Sequence, residues 1–183
     1  SGDWSSDVCS SDLFQRGVSL MESMICVALM GLMTTLAAPS FFHWKKQTEF
    51  VGAIQHSHLF IQHARSYALS HRRKVYLSFD PSQSGCIGLS TQGACDCHAS
   101  DACQLDNQTY QLSLSQLSAT LTLNSEKATT ISFDGIHGLG FSLALTLFVS
   151  NSSHKGKIVL SNFGRARFCA DSNELTHRGV PQC

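Results

Sequence analysis

Apolar side chains fall into three regimes along the chain. Residues 17–42 (GVSLMESMICVALMGLMTTLAAPSFF) are almost continuously apolar, and Glu22 is their only formal charge between Arg16 and His43. At about 1.5 Å per residue a helix of this length crosses a bilayer core of roughly 30 Å. From Phe50 to Ser70 polar residues interrupt the run, and Phe50, Ile54, Ile61, Ala64 and Ala68 recur, with Ala53, Phe60 and Tyr67 beside them. That is the spacing of one helix face, so the second regime predicts an amphipathic continuation of the same helix, packed on a sheet. From Lys74 the period drops to two, in Val75, Leu77 and Phe79, then Tyr110, Leu112 and Leu114, then Leu117, Ala119, Leu121 and Leu123. Ile131 and Phe133 follow, then a long run from Leu139 to Val149, then Ile158 and Leu160, and last Ala166 and Phe168. Turn signals at Asp80-Pro81-Ser82, Asp134-Gly135, Asn151-Ser152-Ser153 and Asn162-Phe163-Gly164 separate many of these predicted strands. The fold class expected is α+β: a long N-terminal helix, membrane-length over residues 18–42 and amphipathic over 43–72, packed on an antiparallel β domain over 73–183.

Residues 1–13 fit none of these regimes. Their stretch DWSSDVCSSDL reads as one frame of a common sequencing adapter, so residues 1–13 and Cys9 are set aside, and 14–17 are expected to be the remnant of a leader. The full chain has 13 basic and 13 acidic side chains; without residues 1–17, Asp3, Asp7, Asp12 and Arg16 drop out and 12 basic and 10 acidic remain. A balance of about +2 is too small to assign a partner by net charge. About 140 residues follow the apolar run, enough for one domain with a substantial core.

A carboxylate inside a membrane-length helix costs about 2.5–3.5 kcal/mol on insertion scales and usually has a partner. The partner is suggested by Arg16-Gly17: cutting after Gly17 would expose a positive amine at Val18, four residues from Glu22. Gly17 before the cut, the apolar Val18, Glu22 as the fifth residue and Pro39 late in the helix together resemble the processing site and first helix of type IV pilins and type II secretion pseudopilins. Val18 stands where that family usually has Phe. The resemblance implies cleavage and N-methylation by a prepilin peptidase, an inner-membrane location with the soluble domain in the periplasm, and later packing of the helix in a filament core. There Glu22 would meet the Val18 amine of a neighbouring subunit and neutralise both charges. A signal anchor carrying an incidental Glu is the alternative.

The stretches ISFDGIHGLG and KIVLSNFGRARFC resemble the GspH/FimT group of minor pilins and pseudopilins more narrowly. The fold so implied is pilin-like, and the chain's expected role is a structural subunit of a type IV pilus or a type II secretion pseudopilus. Within this group, FimT-like minor pilins that serve DNA uptake carry a GRxR pattern, here Gly164-Arg165-Ala166-Arg167. That implies contact with double-stranded DNA through Arg165 and Arg167. Two residues apart on a strand, both guanidinium groups would share a face, and such forks suit phosphate oxygens. Lys155, Lys157 and Arg178 are the nearby cations. A charged, solvated strand edge would explain the same residues without a ligand. A third possibility is a membrane-anchored periplasmic binding module unrelated to filaments.

Apart from Cys26 in the apolar run, six cysteines remain: Cys86, Cys95, Cys97, Cys103, Cys169 and Cys183. An even number beyond a positively flanked apolar segment predicts three disulfides in an oxidising compartment. Related pilins often close a C-terminal loop, which implies Cys169 with Cys183 and leaves the other four to pair locally in any of three ways. The insert of residues 85–103, which holds those four cysteines and many turn residues, matches nothing in the resemblance. Its Cys95-Asp96-Cys97-His98 could hold zinc, yet CxC is not the usual CxxC knuckle and an oxidising compartment favours bridges. His56, His58, His63 and His71 read as solvated or capping side chains, and His71-Arg72-Arg73-Lys74 suits the helix C-terminal dipole. There is no GxSxG, HExxH or phosphate loop. The chain is therefore read as a non-enzyme with no cofactor, no metal and no small-molecule substrate.

Overall fold

The computed structural model describes residues 19–123, 129–141 and 145–183. The chain divides into two compact units, one ending at Phe41 and one spanning Phe42–Cys183. Helix α1, Leu20–His71, supplies residues to both.

In the first unit every described residue is exposed. The helix opens with the Ser23 amide on the Ser19 carbonyl at 3.1 Å and the Ser23 hydroxyl on the Leu20 carbonyl at 2.8 Å. Pro39 lies inside it and lacks the N–H that would bond the carbonyl of Thr35. The apolar stretch is long enough to cross a membrane by length and composition, and none of its described residues is buried.

In the second unit α1 buries Phe50, Ala53, Ile54, Ser57, Ile61, Ala64 and Ala68, a three-and-four repeat. The face expected from the sequence is there, with Phe60 and Tyr67 packed at its margin. Ser57 is the addition; its hydroxyl bonds the Ala53 carbonyl at 2.8 Å, so no polar group is left bare. The helix stops at Arg72, whose φ is 50°, and the Arg73 amide closes back on the Ala68 carbonyl at 3.2 Å. That six-to-one closure through a left-handed residue is a Schellman-type end.

Two antiparallel sheets complete the unit. The strands are β1 Val75–Asp80, β2 Cys86–Ser90, β3 Gln104–Leu105, β4 Gln108–Thr109, β5 Gln111–Ser113, β6 Thr120–Leu123, β7 Thr129–Phe133, β8 Gly140–Phe141, β9 Leu145–Ser150, β10 Lys155–Leu160 and β11 Ala166–Ala170. One sheet has the order β5-β2-β1-β7-β8, the other β11-β10-β9-β6, and β3-β4 form a separate hairpin. Phe50, Ile54 and Ile61 of the helix share one core with Leu77, Phe79, Ile87, Phe133, Leu147 and Ile158 of the strands. The approach is close at Gly156 of β10, where a Cβ would lie 2.8 Å from Ile54 Cδ1 and 2.9 Å from Phe50 Cζ.

Three strand expectations are revised. The segment 85–103 contains β2, every residue of which is buried. Ile87 and Leu89 belong to the main core, while on the other side Cys103 Sγ sits where a Cβ on Gly88 would be. Both faces are covered, so no alternation is visible. The run from 139 to 149 is not one strand: β8 pairs with β7 in the first sheet, and β9 pairs with β6 and β10 in the second. Finally, residues 114–117 form a 3-10 turn ended by left-handed Ser118, so β6 begins later than the alternation implied.

The bridges are Cys86–Cys97, Cys95–Cys103 and Cys169–Cys183. The last is the implied C-terminal closure, and the local pairing left open by the sequence is thereby settled.

Candidate functional site

The processing pair Gly17 and Val18 lies outside the described residues. Glu22 stands in the first turn of α1 and is exposed, as is the unbridged Cys26.

The family-like segments meet each other. The loop after β7 is built on Asp134: its carboxylate accepts from the His137 amide at 3.0 Å, its carbonyl accepts from the Gly138 amide at 3.0 Å, and its own amide donates to Leu139. The His137 N–H first, and to a lesser degree that of Ile136, hold the Asp134 carboxyl below its usual range against the cost of burial. The β10–β11 turn closes with the Ser161 amide on the Arg165 carbonyl at 2.9 Å, and the Gly140 amide reaches Asn162 at 3.0 Å. At the contact Gly138 and Gly164 both have positive φ, 65° and 72°, and a Cβ on Gly164 would collide with the Gly138 carbonyl. Arg65 from the helix donates Nε to that same carbonyl at 3.1 Å. The glycine pattern is therefore a packing joint.

The expected basic group is partly assembled. In β10, Gly156, Ile158 and Leu160 point to the core, which turns Lys155, Lys157 and Val159 outward. Register pairs Val159 with Arg167, so Arg167 shares the outer face with both lysines. Phe148 and Thr122 join them, since Lys157 pairs with Phe148 and Phe148 with Thr122. Arg165 is exposed but precedes β11, in the turn, so the two arginines do not share a regular strand. Among the described residues none of Lys155, Lys157, Arg165 or Arg167 forms an ion pair. Arg178 is engaged elsewhere: it donates to Thr48 Oγ1 at 2.8 Å and lies 5.8 Å from the Trp44 ring centroid, against the helix. A cavity of about 480 Å³ opens on the outer face, lined by Lys155, Lys157, Phe148, Thr122, Ser150 and Asp171 among others.

The cysteine cluster offers a donor set of Cys86, Cys97 and His98. Two of its three sulfur and nitrogen atoms are the two halves of one disulfide, and an oxidised pair supplies no thiolate for zinc. His98 Nε2 meets Ser82 Oγ at 3.1 Å and Asp80 at 3.8 Å on the same nitrogen. A relay needs base and orienting acid on opposite ring nitrogens, so this grouping does not activate the serine.

Of the other histidines, His58 Nε2 lies 3.1 Å from the Ala166 carbonyl and His63 stacks on Tyr110. His71 Nδ1 lies 3.2 Å from the Tyr67 carbonyl in the last turn. Sequence reasoning missed His154, which is 7% exposed beside Phe50 and His43 with no hydrogen-bond partner at Nε2. Only its position after the Asn151 turn marks it, a signal too weak to predict burial.

A family model described as Type II transport protein GspH matches residues 53–164. Among solved structures, the crystal structure of the type IV minor pilin FimU of Pseudomonas aeruginosa (strain PAO1) in space group P21 is similar with a TM-score of 0.48 and 13% identity, covering 68% of this chain and 90% of that one. The P65 form of FimU gives a TM-score of 0.45 at 13% identity, covering 64% and 90%. No curated protein matches.

Proposed function

The chain belongs to the GspH family of type II transport proteins, and on that premise we propose that it is a minor pilin or pseudopilin, a structural subunit of a type IV pilus or a type II secretion pseudopilus. Prepilin peptidase cuts after Gly17, the Val18 amine is methylated, and the helix holds the subunit in the bacterial inner membrane with the β domain in the periplasm. On assembly the apolar helix leaves lipid for the filament core, where Glu22 pairs with the Val18 amine of another copy. The observation that carries this reading is an apolar helical stretch with a lone acid in its first turn, every described residue of which is exposed. Such a surface requires lipid or other copies around it. Three bridges in the β domain fit an oxidising compartment. Glu22→Ala should still be cut but fail to enter filaments; normal incorporation would refute the pairing.

A second reading, contact with a DNA backbone, is favoured by the shared outer face of Lys155, Lys157 and Arg167 and by the absence of ion pairs to them among the described residues. Duplex binding by the full chain in detergent micelles should weaken steeply with salt. It should drop for Arg165→Ala combined with Arg167→Ala, and unchanged binding would remove this reading.

A further inference from the structure

We propose that the cavity on the outer face of the four-stranded sheet receives an unpaired nucleobase, so that the strand favoured here is single-stranded; this rests on the nucleic-acid reading above. Phe148 is 39% exposed although it lies mid-strand, and among the described residues it is, with Val159 of β10, one of two large apolar side chains on the outer face of this sheet, Phe148 being the aromatic one. Register sets it directly between Lys157 on one neighbour and Thr122 on the other. An aromatic side chain open to solvent beside a cation is the usual platform for a stacked base, and stacking tolerates any base. Bases inside a duplex present edges, not faces, so this platform is of use only to an unpaired strand.

The remaining lining fits the same ligand. Lys155 and Lys157 lie two residues apart on β10, about 7 Å along the strand at about 3.3 Å per residue, and Arg167 extends the cationic line across β11. The cavity, about 480 Å³, is roomy enough for one nucleotide unit. Asp171 is the single acid among the described residues of its lining. It would repel a bare anion, whereas the exocyclic amine of cytosine gives it a hydrogen-bond donor. Unpaired thymine offers its N3–H to the same carboxylate, so either pyrimidine fits. The geometry points to a base pocket with phosphate holders on its rim.

Fluorescence anisotropy of the full chain in detergent micelles, with a labelled oligo-dC strand and a duplex hairpin of equal length, tests this. The single strand should bind several-fold tighter than the duplex. Phe148→Ala should weaken single-strand binding about tenfold, the scale of one lost stack, and leave duplex binding unchanged. Phe148→Leu, which keeps the apolar bulk without the ring face, should behave like Phe148→Ala, and Phe148→Trp should retain binding. Single-strand binding insensitive to Phe148 but lost with Lys155→Ala and Lys157→Ala would overturn the pocket and leave the backbone reading standing. Binding of neither strand nor duplex would end both. Free dCMP binding as tightly as the strand would make the ligand a nucleotide and overturn the strand proposal.

Discussion

Arg65, within the last two turns of α1, donates its Nε to the carbonyl oxygen of Gly138 at 3.1 Å. The same carbonyl lies against Gly164, so one oxygen joins the helix, the β7–β8 loop and the β10–β11 turn. The two sequence stretches that look most like a fingerprint are thus explained by how closely two turns must approach.

Gly164→Ala should therefore be among the costliest single changes in the β domain. It places a Cβ at positive φ and against a carbonyl, and should destabilise by more than about 2 kcal/mol. Arg65→Ala should cost about 2 kcal/mol, since it leaves a partly buried carbonyl without its charged donor. Thermal melts of the two variants check both.

Acid should loosen the site where residues 151–154 dock on the helix. There the Asn151 side-chain amide bonds the Lys46 carbonyl at 2.9 Å, and His154 is buried next to it. Burial holds the imidazole below its ordinary value of about 6.5, with Glu174 opposing and His43 reinforcing that shift. A depressed histidine favours the neutral form in the folded chain. The unfolded chain then binds more protons as pH falls below about 6.5, so stability is full above that value and declines towards the folded pKa. Melting temperature should be level from pH 8 to 7 and fall from 6.5 to 5. His154→Phe should flatten that slope, and an equal slope in the variant would assign it to other groups.

Opening the C-terminal bridge should loosen one edge of the second sheet. Cys169 and Cys183 are 14 residues apart, and the segment they tether pairs Gln182 with Ala170 beside β11. Cys183→Ser should cost about 3 kcal/mol on the loop-entropy scale. Amide exchange should rise first at Ala170, whose N–H donates to the Pro181 carbonyl at 2.9 Å.

Arg178 separates structure from ligand binding. Because it is held by Thr48 and Trp44, Arg178→Ala should lower stability by about 1 kcal/mol and leave the salt dependence of DNA binding unchanged. A reduced salt slope would return it to the basic group.

The helix face was legible because six of its seven buried positions are apolar and repeat at three-and-four spacing, and β1 because Val75, Leu77 and Phe79 face one core. Where a strand is covered on both sides the pattern vanishes, as in β2 under the cysteine cluster. Alternation also carries no information about sheet membership, so the 139–149 run gave no hint that β8 and β9 belong to different sheets. The basic group was legible in part: β10 parity sets Lys155 and Lys157 outward, but nothing in the sequence places Arg178 against the helix. His154 was illegible because histidine composition does not distinguish a buried ring from a solvated one.

The account depends most on a cut that frees the Val18 amine to meet Glu22. Sequencing the N-terminus of the protein from native envelopes tests this directly. A mature chain beginning at Val18, with Glu22 fifth, is the predicted result; a chain running intact through Arg16 and Gly17 would contradict it.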